Sequence, residues 1–345
     1  MPKTRKRETY NYNRTLIDYV GNFNNRAVEG QEVGIEIEVE GRSLPANPFK
    51  GWATHADGSL RGESMEYVFN GPATRDDVPV RLERFRKRLV ETGAVVDQSY
   101  RTSVHVHLNA QDMVIKNIYS QILLYTVFED ILASFCGNER VGNLFCLRAK
   151  DAEYYIDRLL RSIRDDNIIL LNDQNIRYSA VNSMALFVHG TLEFRSFRGT
   201  VDTDLIQEWV NLLLAIKDAA TGVFENPISI VQDFSARGPD EFARMVFSRE
   251  QIEKFPRGWQ DNIMEGVRLI QHVAHACDWG PTPVNKNAKA VPTYGMYTAT
   301  VQDAPIVVHG GAGNRLVINN PIIGDQIQWQ RAPAPRPDRF EEDEV

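Results

Sequence analysis

The sequence predicts an α+β fold, because segments with the period of a strand interleave with segments with the period of an amphipathic helix. From Val33 to Val39 apolar residues alternate with one glycine and two glutamates, as in a strand that buries one face. From Asp77 to about Thr92 the apolar residues recur instead at helical spacing. The composition, 43% hydrophobic and 25% charged, is that of an ordinary globular protein.

Charge and composition exclude several classes of partner. The chain has 39 Lys and Arg against 46 Asp and Glu, a net charge of −7, so we expect no general affinity for nucleic acid. No apolar run is long enough to cross a bilayer, so we expect no membrane partner. The basic start of the chain is not followed by an apolar run and does not resemble a secretory signal. The three cysteines are far apart in the sequence, which favours a reducing cytoplasm.

The first half of the chain contains three predicted strands. Residues 1–32 are a polar leader, and we expect its short apolar cluster at 16–20 to pack on the body. The strand at 33–39 follows. A second strand at 66–69 ends in Asn-Gly-Pro, a strong turn signal. A third, Ser103–Asn109, alternates apolar residues with polar ones.

The second half is mainly helical. The sequence predicts helices at about 112–136, 151–165 and 204–219, a strand pair at 178–188 and 191–198, and helices from 226 to Cys277. The stretch 280–330 is rich in Pro, Gly and Asn, and residues 331–345 have the composition of a disordered acidic tail. Gly310–Asn314 lacks the Lys and hydroxyl residue of a P-loop and predicts a tight turn.

Ionisable residues lie two apart on three of the predicted strands, which places each pair on one face. Glu36 and Glu38 have Cα atoms roughly 6–7 Å apart, and His105 with His107, and Glu193 with Arg195, repeat the spacing. Each pair has a simpler explanation: solvated edge carboxylates, structural histidines and an internal ion pair. Their repetition on three strands favours one shared site.

If these strands are neighbours in a sheet, four carboxylates and an imidazole converge, and such a concentration of negative charge requires cations. The set is Glu36, Glu38, Glu66, His105 and Glu193. Oxygen-rich ligands with one imidazole suit Mg²⁺ or Mn²⁺ better than structural Zn²⁺. Guanidinium groups, which can bond two phosphoryl oxygens at once, are available at Arg140, Arg177 and Arg195.

The order of these motifs closely resembles that of the putative amidoligase family, which belongs to the carboxylate–amine ligase superfamily. The resemblance covers about residues 33–215, and the ordered set is more specific than any single motif. The motifs are Gly34-Ile35-Glu36-Ile37-Glu38, Asp57-Gly58-Ser59-Leu60, Glu66 before Pro72, Val104-His105-Val106-His107, Arg140 with Asn143, Arg177-Tyr178 with Asn182, and Thr191-Leu192-Glu193-Phe194-Arg195.

The resemblance implies a curved, mainly antiparallel sheet of glutamine-synthetase type with helices packed on one face. It also implies ATP-dependent formation of an amide or peptide bond through an acyl phosphate, with Mg²⁺ or Mn²⁺ as cofactor. The catalytic domain would be 33–225. The extension 226–330 has no counterpart in this resemblance, and we consider it a candidate for acceptor specificity. The partners would be a carboxylate donor and an amine acceptor, either of which could be a small molecule, a peptide or a protein. Oligomeric state is left open.

The resemblance also implies roles for individual residues. The ligands of the nucleotide-side metal would be Glu36, His105 and Glu193, and those of the substrate-side metal Glu38 and Glu66. Phosphate contacts would come from His107 and Arg195, both catalytic. Four further residues would make substrate, nucleotide or supporting contacts. Asp57 and Arg177 would contact the substrate, and Arg177 would also be catalytic. Arg140 and Asn182 would contact the nucleotide.

Three competing functions remain open on the sequence. A phosphotransferase of guanidino-kinase type would share the sheet and stop at phosphoryl transfer. The His and Glu residues could instead belong to a Zn²⁺ or two-metal hydrolase. A ligase-like domain could also serve as a non-catalytic binding scaffold.

Overall fold

A computed structural model of the chain describes residues 11–21, 23 and 26–279, and the backbone of three short strands beyond them. Met1–Ala290 and Val291–Val345 form two separate compact units. Residues 1–10 of the predicted leader and 332–345 of the predicted tail lie outside the described residues.

One open sheet of eight strands forms the first unit's framework, and every pairing in it is antiparallel. The strands are β1 Gln31–Arg42, β2 Trp52–His55, β3 Ser64–Phe69, β4 Ala73–Thr74, β5 Val95–Asp97, β6 Ser103–Asn109, β7 Val181–Asn182 and β8 Thr191–Arg198. The main order is β2-β3-β1-β6-β8-β7, and β4 and β5 pair with β1. The predicted α+β class is confirmed.

The described α-helices follow the predicted pattern closely. They are α1 Leu16–Val20, α2 Asp77–Thr92, α3 Ile115–Cys136, α4 Glu153–Arg164, α5 Ala185–Val188, α6 Thr203–Gly222, α7 Pro227–Val246, α8 Arg249–Ile252 and α9 Trp259–Ala274. None of the helices in this described part is long and apolar enough to cross a membrane.

Strand β1 divides its side chains between the core and the opposite face of the sheet. Val33, Ile35, Ile37 and Val39 are buried almost completely, because alternate residues of a strand point to one side. The helices cover this side: α3 contacts β8, and α6 contacts β6. The acidic residues between the buried ones are therefore directed to the other face.

Helix α3 lies in the middle of the helical layer. It is buried on nearly all sides, as expected for a helix that is apolar all round, and it contacts α6, α7 and α9. The helices at 227–274 thus share the core of the first unit with the sheet. At the other end of the chain, Leu16 of α1 is fully buried, and its N–H donates to the carbonyl of Met113 at 3.0 Å.

The prediction of a strand over 178–188 is wrong for most of that range. Only Val181–Asn182 pairs in the sheet, and Ala185–Val188 is helical. The side chain of Asn182 accepts the N–H of Met184 at 3.0 Å, which turns the chain after two residues. The apolar run from 184 to 188 cannot by itself distinguish a strand from a buried helical turn.

The second unit contains a small antiparallel sheet, β9 Ile306–Gly310, β10 Asn314–Ile318 and β11 Trp329–Arg331. Gly310 pairs with Asn314, and the three residues of the predicted tight turn between them lie outside the described part of the chain.

Candidate metal and substrate site

The register of the central strands brings the predicted ionisable residues onto one face. Strand β1 lies between β3 and β6, so Glu36 pairs with His105 and Glu38 pairs with Glu66. On the other side of β6, His107 pairs with Glu193. Residues paired across strands point to the same face, which explains why side chains far apart in sequence converge.

A β-bulge in β8 is needed for this arrangement. Phe194 and Phe197 are three residues apart, yet both are buried in the core. The register shifts between them, so that Arg195 and Ser196 together oppose His105. The extra residue restores the alternation and keeps Arg195 at the cleft.

The first cluster of candidate metal ligands consists of Glu36, His107 and Glu193, whose ligand atoms lie within 4.8 Å of one another. The Nε2 of His107 lies 3.3 Å from Glu36 Oε1, while its Nδ1 lies 2.9 Å from Thr191 Oγ1. A Cβ at Gly34 would come within 3.2 Å of the His107 Cβ, so glycine leaves room for the imidazole there.

The second cluster consists of Glu38, Asp57 and Glu66, again with ligand atoms within 4.8 Å of one another. Ser103 Oγ donates to Glu38 Oε2 at 2.7 Å. Asp57 lies in the loop between β2 and β3, where one of its oxygens accepts the N–H of Ser59 at 2.7 Å. The sequence predicts a substrate contact for Asp57, whereas the structure groups it with two carboxylates.

His105 lies between the two clusters. Its Nδ1 is 3.2 Å from Glu36 Oε2 and 3.4 Å from Glu193 Oε1, and its Nε2 is 2.8 Å from Ser103 Oγ. Both histidines are therefore within reach of Glu36. In the structure His107, rather than His105, completes the first cluster.

Electrostatics separate the carboxylates. Burial raises the pKa of Glu36, but the two imidazoles beside it outweigh burial and hold the pKa well below its usual range. Burial also raises the pKa of Glu193, but the charges of the two histidines and of Arg195 outweigh burial and lower this pKa. At Glu66, burial and the charges of the neighbouring carboxylates raise the pKa to about 7. A cation would relieve that repulsion.

The donor set fits divalent cations with a preference for oxygen. Five carboxylates and one or two imidazoles are the ligand types expected for Mg²⁺ or Mn²⁺, and no thiolate is among them. The Nε2 of His107 is buried and has no hydrogen-bond partner among the described residues. An imidazole nitrogen left in this state beside two carboxylates is suited to bind a metal ion.

Glu193 is held from two sides. Asn182 Nδ2 donates to Glu193 Oε2 at 2.6 Å, and the guanidinium of Arg195 donates to Glu193 Oε1. The predicted residues Asn182 and Arg195 thus meet at one carboxylate. Groups bonded to a metal ligand in this way fix its orientation.

Arg140, for which the sequence predicts a nucleotide contact, lines the same cavity as Glu36 and Glu38. Arg140 is buried, and its guanidinium donates to the carbonyls of Arg195 at 2.7 Å and Ser196 at 3.3 Å. It therefore supports the backbone of the bulge. Arg177 is exposed and lies over the ring of Tyr178 at 4.7 Å.

Two cavities meet at Glu36. One has a charged lining. It contains Glu36 and the carboxylates of the second cluster, together with Arg101, Phe145, Arg177, Tyr178 and Arg195. The other has a more apolar lining that includes Ile35, Val68, Phe69, Pro72, His107 and His189.

Sequence reasoning missed several polar residues at these cavities, among them Ser103, Thr191, Arg101 and His189. Ser103 and Thr191 each lie two positions before a predicted ligand, so the strand period could have identified them. Arg101 and His189 lie in connections, where no periodicity indicates which side chains reach the site.

One comparison with known proteins found a similar family. Residues 72–217 match the family described as putative amidoligase enzyme. The matched region contains the predicted site residues of β6, β7 and β8, whereas those of β1 and β3 precede it. A search of curated proteins found no match. The match over residues 72–217 makes this part of the chain similar to putative amidoligase enzymes and supports, in general terms, a ligase that forms amide bonds.

Proposed function

We propose that this protein is an ATP-dependent carboxylate–amine ligase that forms an amide bond through an acyl phosphate. One observation supports the proposal above all: two clusters of candidate metal ligands lie side by side on one sheet face, at the junction of two cavities. Such a site can hold a nucleotide and a carboxylate with their reacting ends together. The sheet would then be of glutamine-synthetase type.

Mg²⁺ or Mn²⁺ is the cofactor we propose. One ion would be held by Glu36, His107 and Glu193, and the other by Glu38, Asp57 and Glu66. The bound ions would neutralise phosphate charge and polarise the phosphoryl group. This assignment gives Asp57 a metal-binding role in place of the substrate contact.

The chain's own residues would orient and stabilise the reacting groups. A free carboxylate is a poor electrophile, so the γ-phosphoryl of ATP would be transferred to it before the amine displaces phosphate. Arg195 lies on the first cluster and would donate to the oxygens of the transferred phosphoryl group. Asn182 would keep Glu193 in its ligating orientation.

We assign the two cavities to the two substrates. The more apolar cavity beside His107 would take the nucleotide, since its apolar walls suit a base and its inner end reaches the first cluster. The charged cavity beside Glu38 and Glu66 would take the carboxylate donor, with Arg177 as an anion contact.

We also propose a cytoplasmic location for the enzyme. The three cysteines of the protein are free thiols, which favours a reducing compartment.

Hydroxylamine offers a test that needs no knowledge of the amine acceptor, because it converts acyl phosphates to hydroxamates. The protein would be incubated with Mg²⁺, ATP, hydroxylamine and a panel of carboxylic acids. We expect hydroxamate and ADP in equal amounts with at least one acid. Oxygen-18 in that acid's carboxylate should then appear in the released phosphate.

Other outcomes would identify the competing functions. AMP as product, with the label in it, would indicate adenylation. ADP formed while the carboxylate label stays in place would indicate a phosphotransferase, and metal-dependent hydrolysis without nucleotide would indicate a hydrolase. Any of these would overturn the proposal.

A further inference from the structure

The charged cavity contains two guanidinium groups that form no ion pair with a carboxylate of the described residues. Arg101 and Arg177 both line it, and both are exposed. Arg101 donates to the carbonyl of Ser59 at 2.8 Å, and the guanidinium of Arg177 lies over the ring of Tyr178 at 4.7 Å. Within the described part of the chain, neither has a carboxylate partner within 4.0 Å. Two unpaired cations in a cavity favour an anionic ligand.

Beside these cations the same cavity has an aromatic wall. Phe145 and Tyr178 are 51% and 37% exposed, and their rings meet edge to face at 5.6 Å. Large apolar side chains that are exposed inside a cavity indicate contact with an apolar part of a ligand.

The backbone holds this aromatic wall in place. The N–H of Leu147 donates to the carbonyl of Tyr178, and the N–H of Ala180 donates to the carbonyl of Leu147, both at 2.8 Å. The two loops that carry Phe145 and Tyr178 are therefore bonded to each other, and the wall exists before any ligand binds. A preformed wall costs little entropy on binding.

The second cluster lines the same cavity. Glu38, Asp57 and Glu66 lie there, where the proposed function places the reacting carboxylate beside a metal ion. That carboxylate does not need Arg101 or Arg177. The two guanidinium groups are thus available for a second negative charge on the same substrate.

We infer that the carboxylate donor is an amphipathic dicarboxylate: one carboxylate reacts at Glu38, Asp57 and Glu66, the other binds Arg101 and Arg177, and an apolar group packs on Phe145 and Tyr178. This inference rests on the proposed function for the identity of the reacting carboxylate. The guanidinium fork favours a second carboxylate because it can bond both oxygens.

Calorimetry with three related probes tests each part of the inference. The protein would be saturated with Mg²⁺ and β,γ-methylene-ATP and titrated with N-benzoyl-L-glutamate. N-acetyl-L-glutamate keeps both carboxylates and lacks the ring, while N-benzoylglycine keeps the ring and has one carboxylate. We expect N-benzoyl-L-glutamate to bind about tenfold more tightly than N-acetyl-L-glutamate and about tenfold more tightly than N-benzoylglycine. A buried ring and a charged hydrogen bond each contribute about a factor of ten in affinity.

Variants connect these differences to the named residues. Arg177→Gln and Arg101→Gln should each weaken N-benzoyl-L-glutamate about tenfold and weaken N-benzoylglycine much less, so that the preference for the dicarboxylate is lost. Phe145→Ala should remove the preference for the benzoyl group. Arg61→Gln is the matched control, because Arg61 is an exposed arginine nearby that does not line the cavity, and it should change nothing.

Three results would overturn the inference. These are equal binding of N-benzoyl-L-glutamate and N-benzoylglycine, equal binding of the benzoyl and acetyl compounds, or weaker ATP-analogue binding as the main effect of Arg177→Gln. In each case the nucleotide would still bind with Mg²⁺, so the proposed function would stand. Absence of ATP-analogue binding in the unaltered protein, with the dicarboxylate still bound in Mg²⁺ alone, would overturn the proposed function and support the inferred binding class.

Discussion

Glu129 of α3 is a carboxylate without a role in the proposed chemistry, and its environment has a measurable consequence. It is buried in a small cavity behind the bulge, where its Oε2 accepts the N–H of Ala149 at 2.8 Å. Burial raises its pKa to about 8. The folded protein therefore keeps Glu129 protonated at neutral pH, whereas the unfolded chain ionises it near pH 4.5.

The sign of the resulting pH dependence follows from this difference. Below about pH 4.5 Glu129 is protonated in both the folded and the unfolded state and does not change the free energy of unfolding. Between pH 4.5 and about 8 only the unfolded state loses the proton, so stability falls as the pH rises, by roughly 2–5 kcal/mol in all. Glu129→Gln keeps an oxygen for Ala149 and cannot ionise.

We predict that Glu129→Gln gains stability over the unaltered protein as the pH rises from 5 to 8. Urea unfolding at several pH values measures the two free energies of unfolding. Stability curves that stay parallel across this range would show that Glu129 is ionised in the folded protein.

At the scale of residues, the strand period predicted most of the site. Glu36, Glu38, His105 and His107 share a face because alternate residues must, and the structure confirms that they do. Asp57 reaches the second cluster from a loop, and no periodicity places a loop residue in space. Its place in the second cluster could therefore not be predicted from the local sequence.

The bulge in β8 is the feature of secondary structure on which the site depends most. The guanidinium of Arg140 donates hydrogen bonds to the two backbone carbonyls of the bulge, those of Arg195 and Ser196. Leaving a buried carbonyl without a donor costs roughly 1–3 kcal/mol. Without Arg140 the bulge would relax, and Arg195 would lose its position beside Glu193.

We therefore predict that Arg140→Met lowers the free energy of unfolding by roughly 2–5 kcal/mol. It should also weaken Mg²⁺-dependent binding of β,γ-methylene-ATP, and Arg140→Lys should recover part of both losses. Urea unfolding and calorimetry measure the two effects. The control Arg249→Met removes an arginine from an exposed pair with Glu253 and should cost less than about 1 kcal/mol.

A result in which Arg140→Met loses stability but binds the nucleotide normally would show that the bulge does not position the site. The bulge itself was not predictable from sequence. The positions of Glu193, Phe194, Arg195 and Phe197 require it, yet an irregular residue is visible only once the partner strand and its register are known.

At the scale of the whole molecule, the close contact between α3 and α9 joins the C-terminal helices to the sheet. Gly266 of α9 lies against the backbone of α3: a Cβ there would be 2.3 Å from the carbonyl oxygen of Val127. Backbone atoms cannot move aside as a flexible side chain can. Glycine is therefore required at this crossing.

Gly266→Ala should destabilise the protein by roughly 1–3 kcal/mol, measured as a lower melting temperature. Gly222→Ala is the matched control, because Gly222 ends α6 and a Cβ there would meet nothing within 4 Å. It should leave the melting temperature unchanged or raise it slightly. Equal effects of the two substitutions would contradict the packing of α9 on α3.

The sequence predicted helices from 226 to 277, and the structure confirms them, but their partner could not be predicted. Helical periodicity indicates which face of a helix is buried and not what covers it. The division into a catalytic domain, 33–225, and an extension, 226–330, stays a prediction about function, since α7 and α9 share one hydrophobic core with the sheet.

The central claim is that the two acidic clusters bind divalent ions that in turn bind ATP. Calorimetric titration of β,γ-methylene-ATP, with and without Mg²⁺, tests it most directly in the unaltered protein and in Glu38→Gln, Glu193→Gln and the exposed control Glu241→Gln. We predict binding only with Mg²⁺, at least about tenfold weaker in the two cluster variants and unchanged in the control. Binding without Mg²⁺ that is the same in all four proteins would contradict the account.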